Sequence, residues 1–334
     1  MALNTLKSDG DHLYYNIAIK ANQQNKGIAV FDDNRTEEIL KNPSEYEIAV
    51  LRFSVPSQSI PIFLWKDKNF YITLEYNNQL FYKNLVWFPN SPGTGYDYYG
   101  NAVWNYNDFI QSINIGFLDC FNQLKTVYPL APFTLPPKMV YNPATTLNSI
   151  YVEPSYESNL LNPIKIWFNE QLGAYFPAFQ NFGTVDLINP LGLRIKHILI
   201  IKNLTNIATI ETVNYIYSEE EFSTLFLWSD FKTLVFETDL PVITESQGAQ
   251  VNKYRRVLTD FEPYDAINDR SSIQYTPAGL PRFYDLISSY PLNRVSIRVL
   301  WENKAGDFFP IRLNGFDILT VKLYFKRKGQ MITF

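Results

Sequence analysis

The sequence is poor in the residue types that build most catalytic and metal sites. It has one cysteine, Cys120, and two histidines, His12 and His197, among 334 residues. A single cysteine excludes an internal disulfide framework, and with two distant histidines it cannot supply the usual ligands of zinc. Ser-His catalysis needs a positioned imidazole, but both histidines fall in predicted strands. We therefore predict structural roles for both histidines, and for Cys120 a buried place on the apolar face of a helix.

Long apolar runs and phosphate-binding loops are also missing. No apolar stretch approaches the roughly 18 residues of a membrane span. The opening residues 1–12 lack the apolar centre of a signal peptide, so we expect synthesis in a cytosol. Neither GxxxxGK[ST] nor GxGxxG follows a strand, which argues against a nucleotide cradle.

Charge is scarce as well. Charged residues make up 19% of the chain and the formal net charge is −4, whereas soluble domains average about 25% charged residues. Nucleic acid is therefore not expected as the main partner, because phosphate binding needs clustered positive charge. The small basic clusters Lys253–Arg256 and Lys326–Lys328 are interpreted as solvated strand ends.

The acidic clusters offer no recognised site. Asp32-Asp33, with Glu37-Glu38 nearby, provide oxygen ligands for calcium, but the ordered spacing of an EF-hand loop is absent. Glu219-Glu220-Glu221 is predicted to be the charged first turn of a short helix that begins at Ser218. The sequence thus predicts no catalytic, cofactor-binding or metal-ligating residue, and no cofactor.

Aromatic residues are abundant, at 16% of the chain, and they favour strands because their bulk packs well on a pleated surface. Apolar and polar residues alternate with period two in several segments, which predicts strands with one buried face. Two further segments, Ile48–Phe53 and Ile198–Ile201, are apolar on both faces and predict central strands. The alternating segments are His12–Lys20, Phe70–Tyr76, Arg294–Glu302 and Ile318–Lys326, with shorter strands at Ser149–Glu153, Ile164–Asn169 and Leu234–Thr238.

One segment has helical spacing. Apolar residues over 107–125 recur every three or four positions, with Asn105 or Asn107 as the N-cap. Many short strands and few helices predict an all-β fold, a jelly-roll β-sandwich with long insertions and one or two short helices. We place the jelly-roll core at 1–83 and 191–334, and an insertion that carries the helix at 84–190. Residues 84–106 are predicted to be a long aromatic loop.

Several segments together resemble one family, the penton or minor capsid proteins of virophages and polinton-like viruses. The resemblance begins with Asn42–Phe63 and continues after the helix to the last strand, in one consistent order over most of the chain. The segments that carry it are Asn42–Phe63, Met139–Tyr141, Ile150–Glu153, Ile164–Phe168, Leu258–Pro263, Ile273–Pro277 and Val295–Trp301. They are packing and turn patterns, not catalytic signatures.

The resemblance implies a structural virion protein. Members of this family form jelly-roll subunits that assemble as homopentamers at the fivefold vertices of an icosahedral shell and dock to a double jelly-roll major capsid protein. It implies localisation in the virion and synthesis in the host cell cytoplasm, and it assigns no interface residue. The 84–106 loop and the tail Gly329–Phe334 are hypothetical docking elements.

Two other functions stay open at this point. A carbohydrate-binding β-sandwich, such as a lectin or receptor-binding module, would stack sugars on exposed Trp87, Trp104 and Tyr96–Tyr99. A β-sandwich glycosidase would need two carboxylates roughly 5 to 9.5 Å apart, and no acid/base pair is recognisable.

Overall fold

A computed structural model describes most of the chain. The described residues are 5–8, 12–22, 25–66, 68–87, 102–158, 164–180, 183–188, 194–201, 206–210, 213–242, 246–247, 254–262, 272–276 and 279–330. Side chains are described for most of these residues, but not for 5–8, 157–158, 194–201, 206, 246–247 or 254–255, nor for Leu187 and Ile210.

Strands dominate the structure, and the all-β prediction is confirmed. Every strand pair among the described residues is antiparallel. The strands are β1 (Thr5–Ser8), β2 (His12–Lys20), β3 (Val30–Asn34), β4 (Tyr46–Pro56), β5 (Phe63–Leu64), β6 (Tyr71–Tyr76), β7 (Gln79–Asn84), β8 (Ala102–Val103), β9 (Lys138–Asn142), β10 (Leu147–Val152), β11 (Lys165–Asn169), β12 (Gly183–Ile188), β13 (Arg194–Ile201), β14 (Asn206–Ile210), β15 (Val213–Glu219), β16 (Phe231–Thr238), β17 (Ser246–Gln247), β18 (Tyr254–Arg255), β19 (Val257–Phe261), β20 (Ser272–Tyr275), β21 (Tyr284–Asp285), β22 (Arg294–Asn303), β23 (Phe308–Pro310) and β24 (Ile318–Arg327).

The helices are one long helix and several single turns. The long helix predicted over 107–125 is confirmed as α1 (Tyr106–Val127), and the Asn105 side chain caps it by accepting a 2.8 Å hydrogen bond from the Asp108 amide. The helix predicted to begin at Ser218 is wrong, because Ser218 lies in β15 opposite Ile150 of β10. The single turns are α2 (Ser155–Ser158), α3 (Glu170–Gly173), α4 (Leu225–Trp228) and the 3-10 turns Pro43–Glu45 and Ser57–Ser59.

The chain forms two compact units. Unit 1 holds residues 1–60 and 230–334, and unit 2 holds residues 61–229. The division predicted from the sequence, into a core at 1–83 and 191–334 and an insertion at 84–190, remains a prediction. Its bounds differ from those of the units because β6 and β7, at 71–84, pair within the same sheet as β11 of unit 2.

Unit 1 is a jelly roll of two sheets. One sheet has the order β1-β2-β24-β4-β20, with β21 also paired to β4, and the other has the order β19-β16-β22-β23, with β3 also paired to β22. The first main strand pairs with the last (β2–β24), the second with the seventh (β3–β22), the third with the sixth (β4–β20) and the fourth with the fifth (β16–β19). This nested antiparallel pairing over two sheets is the jelly-roll topology.

The period-two pattern places the core of unit 1. The four apolar residues predicted to face the core in β2 are buried, as are the four in β24. Aromatic rings from the two sheets meet in the core, where the ring centroids of Phe53 and Phe236 are 4.5 Å apart. The prediction that Ile48–Phe53 is central is confirmed, because β4 lies between β24 and β20. The buried residues are Leu13, Tyr15, Ile17, Ile19, Leu319, Val321, Leu323 and Phe325.

Unit 2 surrounds the buried face of α1. Its sheets have the orders β14-β15-β10-β9, β12-β13-β11-β6-β7 and β5-β8, and α1 packs against β6, β7 and β9. The helix approaches β6 closely at Gly116, where an added Cβ would lie 2.3 Å from a methyl group of Leu85 and 3.2 Å from one of Ile72. The core is rich in rings, including Phe63, Phe109 and Trp228.

Candidate assembly surfaces

The residues that most often carry catalysis have structural positions here. The His12 ring lies 2.5 Å through Nδ1 from the Tyr324 hydroxyl and stacks on that ring. His197 lies in β13 opposite Asn169, while its side chain falls outside the described set. The Cys120 thiol is buried on α1, and burial raises its pKa to about 12, so it stays protonated and is a poor nucleophile. The predicted buried position of Cys120 is confirmed.

The paired aspartates are occupied by basic side chains. Asp32 accepts two 2.7 Å hydrogen bonds from the Arg294 guanidinium, which lower the pKa of its carboxyl group. Burial alone would raise the pKa of Asp33, but hydrogen bonds from Tyr15 and Arg35 outweigh it and lower that pKa. Within the described ranges, no group of three or more His, Cys, Asp or Glu residues is arranged to hold a metal ion.

Glu220 is not part of a charged helical turn, and that prediction is wrong. Its carboxylate is buried and accepts hydrogen bonds from the backbone amide and side-chain amide of Asn148, at 2.9 and 2.7 Å, and from the Thr224 hydroxyl at 2.7 Å. Burial raises the pKa of this carboxyl group. These bonds join β10 to the segment between β15 and α4, so the role of Glu220 is to hold that segment in place.

The basic cluster Lys326–Lys328 is neutralised within unit 1. Lys326 pairs with Glu47 at 3.0 Å, Arg327 with Glu45 at 2.8 Å and Lys328 with Asp285 at 3.2 Å. These ion pairs lie at the end of β24 and bind it to its neighbours. The prediction that this cluster is a strand end is confirmed, and in the other cluster Tyr254–Arg255 also form a strand.

Among the described residues of unit 1, one phenylalanine is fully exposed. Phe316 is in a turn before β24, and the next residue, Asp317, is buried. The Asp317 carboxylate accepts hydrogen bonds from Gln58 at 2.6 Å, Ser59 at 3.1 Å and the Asn314 amide at 2.9 Å. The turn is therefore fixed while its largest apolar side chain faces solvent, which is the arrangement of a preformed interface anchor.

Unit 2 presents a pair of half-exposed phenylalanines. Phe222 lies in the segment that Glu220 holds and Phe226 in the following turn α4, and about half of each side chain is exposed. Trp228, two residues further on, is buried and donates a 2.7 Å hydrogen bond from Nε1 to the Tyr175 carbonyl. Glu220 and Trp228 thus fix the two ends of this stretch, while the rings of Phe222 and Phe226 are partly exposed to solvent.

The aromatic residues predicted to bind sugars include one that is buried. Trp87 is buried and stacks on Trp65 at 5.6 Å, so its predicted exposure is wrong. Trp104 is half-buried, while residues 88–101, with Tyr96–Tyr99, lie outside the described ranges. The predicted tail element is described only at 329–330.

Sequence reasoning missed Phe316 and the Phe222/Phe226 pair. Their exposure depends on hydrogen bonds from distant residues, and the only local signal was an apolar residue inside the polar turn Asn314–Asp317. None of the helices in the described ranges is long and apolar enough to cross a membrane.

Comparison with known proteins yields consistent matches. The profile of a family described as Sputnik minor capsid protein V18/19 matches residues 13–327. A Sputnik virophage protein described as uncharacterized protein V18 is 31% identical over 155 residues, covering 37% of this chain and 90% of that protein. A chain of the 3.5 Å cryo-EM structure of the Sputnik virophage superposes with a TM-score of 0.74 at 26% identity, covering 96% of this chain and 99% of that one. The crystal structure of the mavirus penton protein shares the fold, with a TM-score of 0.69 at 15% identity over 94% and 99% of the chains.

Proposed function

Because the chain belongs to the Sputnik minor capsid protein V18/19 family, we propose that it forms homopentamers at the fivefold vertices of an icosahedral shell and docks to a double jelly-roll major capsid protein. It is a structural capsid protein of the virion. The family match over 13–327 carries the proposal. Synthesis in the host cell cytoplasm is part of it.

The jelly roll of unit 1 suits this role. A closed ring uses one heterologous interface, in which two different patches of each subunit meet the neighbours on either side. Aromatic anchors contribute much of the free energy of such contacts. The fully exposed Phe316, fixed by Asp317, supplies an anchor of this kind in unit 1.

The 84–106 loop and the tail 329–334 are proposed docking elements of the same assembly. Deleting residues 329–334 tests the tail. A tail that docks to the shell predicts particles that lack the vertex protein, whereas unchanged incorporation excludes this role.

We expect no catalytic activity and no sugar binding. The described histidine and cysteine side chains are engaged in packing and hydrogen bonds, and Trp87 of the predicted sugar platform is buried. A screen with chromogenic glycosides and a glycan array checks both expectations. Turnover of a glycoside, or specific glycan binding, would favour one of the other two functions.

Native mass measurement tests the assembly directly. The purified protein is expected at five times the 38.9 kDa mass of one chain, and a mixture with the major capsid protein of the same virus is expected to give larger complexes. A strict monomer that ignores the shell protein contradicts the proposal.

A further inference from the structure

Two lysines lie beside the exposed Phe316 of unit 1. Lys20 is opposite Ile318 in the register of β2 and β24, and residues directly opposite each other in a strand pair present their side chains on the same face. Lys26 is brought close to the turn that carries Phe316 by a 2.7 Å hydrogen bond from the Leu313 amide to the carbonyl of the residue after Lys26. The four exposed residues form a surface that we call the basic knob: Phe316, Ile318, Lys20 and Lys26.

The carboxylate in the same turn does not contribute to this surface. Asp317 is buried, and its side chain accepts hydrogen bonds from Gln58 and Ser59 at 2.6 and 3.1 Å. The exposed groups of the basic knob are therefore apolar or positively charged.

The half-exposed phenylalanines of unit 2 lie among carboxylates. The exposed residues between positions 219 and 226 are two glutamates and two phenylalanines, and we call this set the acidic patch: Glu219, Glu221, Phe222 and Phe226. The Glu221 amide donates a 3.0 Å hydrogen bond to the Ala178 carbonyl, which fixes the backbone in the middle of the patch. The acidic patch thus combines exposed aromatic rings with negative charge.

We propose that the basic knob of one subunit docks onto the acidic patch of the next subunit in the ring. This inference rests on the proposed pentamer and names its contact. The two surfaces have opposite charge and both carry exposed aromatic rings, so docking buries apolar area while ammonium groups meet carboxylates. Because the surfaces lie at different places on the chain, their contact is head-to-tail, which is the contact that a closed ring repeats. A second copy is favoured as the partner because this chain itself presents both complementary surfaces.

Both surfaces are ordered in the single subunit. Buried hydrogen bonds to Asp317 hold the turn of the basic knob, and those to Glu220 and from Trp228 hold the two ends of the acidic patch. Preformed surfaces lose little conformational entropy on association. The exposed rings are therefore already presented in the arrangement that docking requires.

Charge reversal tests the electrostatic part of the contact. The knob variant Lys20→Glu/Lys26→Glu and the patch variant Glu219→Lys/Glu221→Lys each place like charges together. Each is expected to raise the concentration for half-assembly of the ring about tenfold. The variant with all four substitutions restores opposite charges and is expected to return towards the wild-type value. Native mass over a dilution series measures the midpoint.

A double-mutant cycle tests whether the rings themselves meet. Phe316→Ser and Phe222→Ser/Phe226→Ser are each expected to raise the midpoint at least about tenfold. If the rings contact each other, the second change removes a contact that the first has already broken. The variant with all three substitutions is therefore expected to fall well short of the product of the two separate effects, whereas independent sites would give that product.

A matched control is the variant Lys41→Glu/Lys66→Glu, which changes the net charge as much as the knob variant at two exposed sites outside both surfaces. It is expected to form rings as the wild type does. Circular dichroism of each variant shows whether the subunits fold. If a charge-reversal variant fails to fold, the cycle between Phe316 and the two phenylalanines of the patch decides the question.

The possible outcomes separate the two proposals. A wild-type chain that stays monomeric refutes the pentamer itself. Wild-type pentamers with unchanged midpoints in the knob and patch variants refute only the contact, as does a four-site variant no better than either parent. A knob variant that forms pentamers normally but no longer binds the major capsid protein would assign the basic knob to the shell and overturn the proposal.

Discussion

Replacing Phe316 by Ser tests whether its exposed ring is an anchor for assembly. The side chain is fully exposed in the single subunit, so its removal sacrifices no buried area, and the free energy of unfolding should change by less than about 0.5 kcal/mol. In the assembled state the same ring is expected to be buried. Full burial of a phenylalanine contributes roughly 1.5 to 3 kcal/mol.

A loss of about 2 kcal/mol at one contact corresponds to roughly a 30-fold weaker association. The assay is native mass over a dilution series, with and without the major capsid protein. Thermal unfolding is measured at a concentration where only single chains are present. Phe316→Tyr is the matched control, since it keeps the ring, and it should assemble nearly as the wild type does.

The prediction requires that Phe316→Ser weakens assembly in the native mass measurement and leaves the thermal unfolding of the single subunit unchanged. If the pentamers and shell complexes of Phe316→Ser are as stable as those of the wild type, the Phe316 side chain does not contact a partner. A clear fall in the melting temperature of the single subunit would show that the ring is packed within its own chain.

Three further predictions concern unit 2. Gly116→Ala should lower the free energy of unfolding by about 1 kcal/mol in urea titrations. Overpacking against Leu85 costs roughly 1 to 3 kcal/mol, and the higher helix propensity of alanine offsets about 1 kcal/mol of that cost. As a control, Asn122→Ala on the exposed face of α1 should show only a gain in stability from helix propensity. Glu220 has its pKa raised by burial above the ordinary 4.5, so its stabilising contribution is complete below that value and declines as pH rises through the folded pKa; compared with Glu220→Gln, the wild type should lose stability as pH rises above 4.5, and parallel pH profiles would contradict this. Cys120 should react with a thiol reagent at pH 8 only after denaturant is added, since it is buried and its pKa is near 12; rapid labelling of the native chain would show an accessible thiol.

The jelly roll was predictable where burial depends on the local pattern. Alternation in His12–Lys20 assigned the buried face of β2 correctly, because successive side chains of a strand point to opposite faces. The same rule fails for Tyr324, which points away from the core and is still buried, since its ring stacks with Tyr14 and packs edge-on against Phe283. Phe283 is 41 positions away, and no local pattern contains that contact.

The errors at Ser218 and Glu220 have one cause. A Ser followed three residues later by Glu is a capping pattern, but strand pairing with Ile150 determined the local structure. Two of the hydrogen bonds to Glu220 come from Asn148, which is 72 residues away in the chain. The candidate assembly surface at Phe316 was unpredictable for a related reason, because the turn that presents Phe316 is held by a hydrogen bond between Asp317 and Ser59, 258 positions apart.

The pairing of the first main strand with the last has a consequence for biosynthesis. His12–Lys20 remains without its partner β24 until residues 318–326 have left the ribosome, whereas residues 61–229 form one continuous stretch and one compact unit. Domains generally fold as units while translation proceeds. Residues 61–229 are therefore expected to fold on the nascent chain, and the jelly roll only after residues 318–326 have been synthesised, so that the proposed assembly contacts of unit 1 form late.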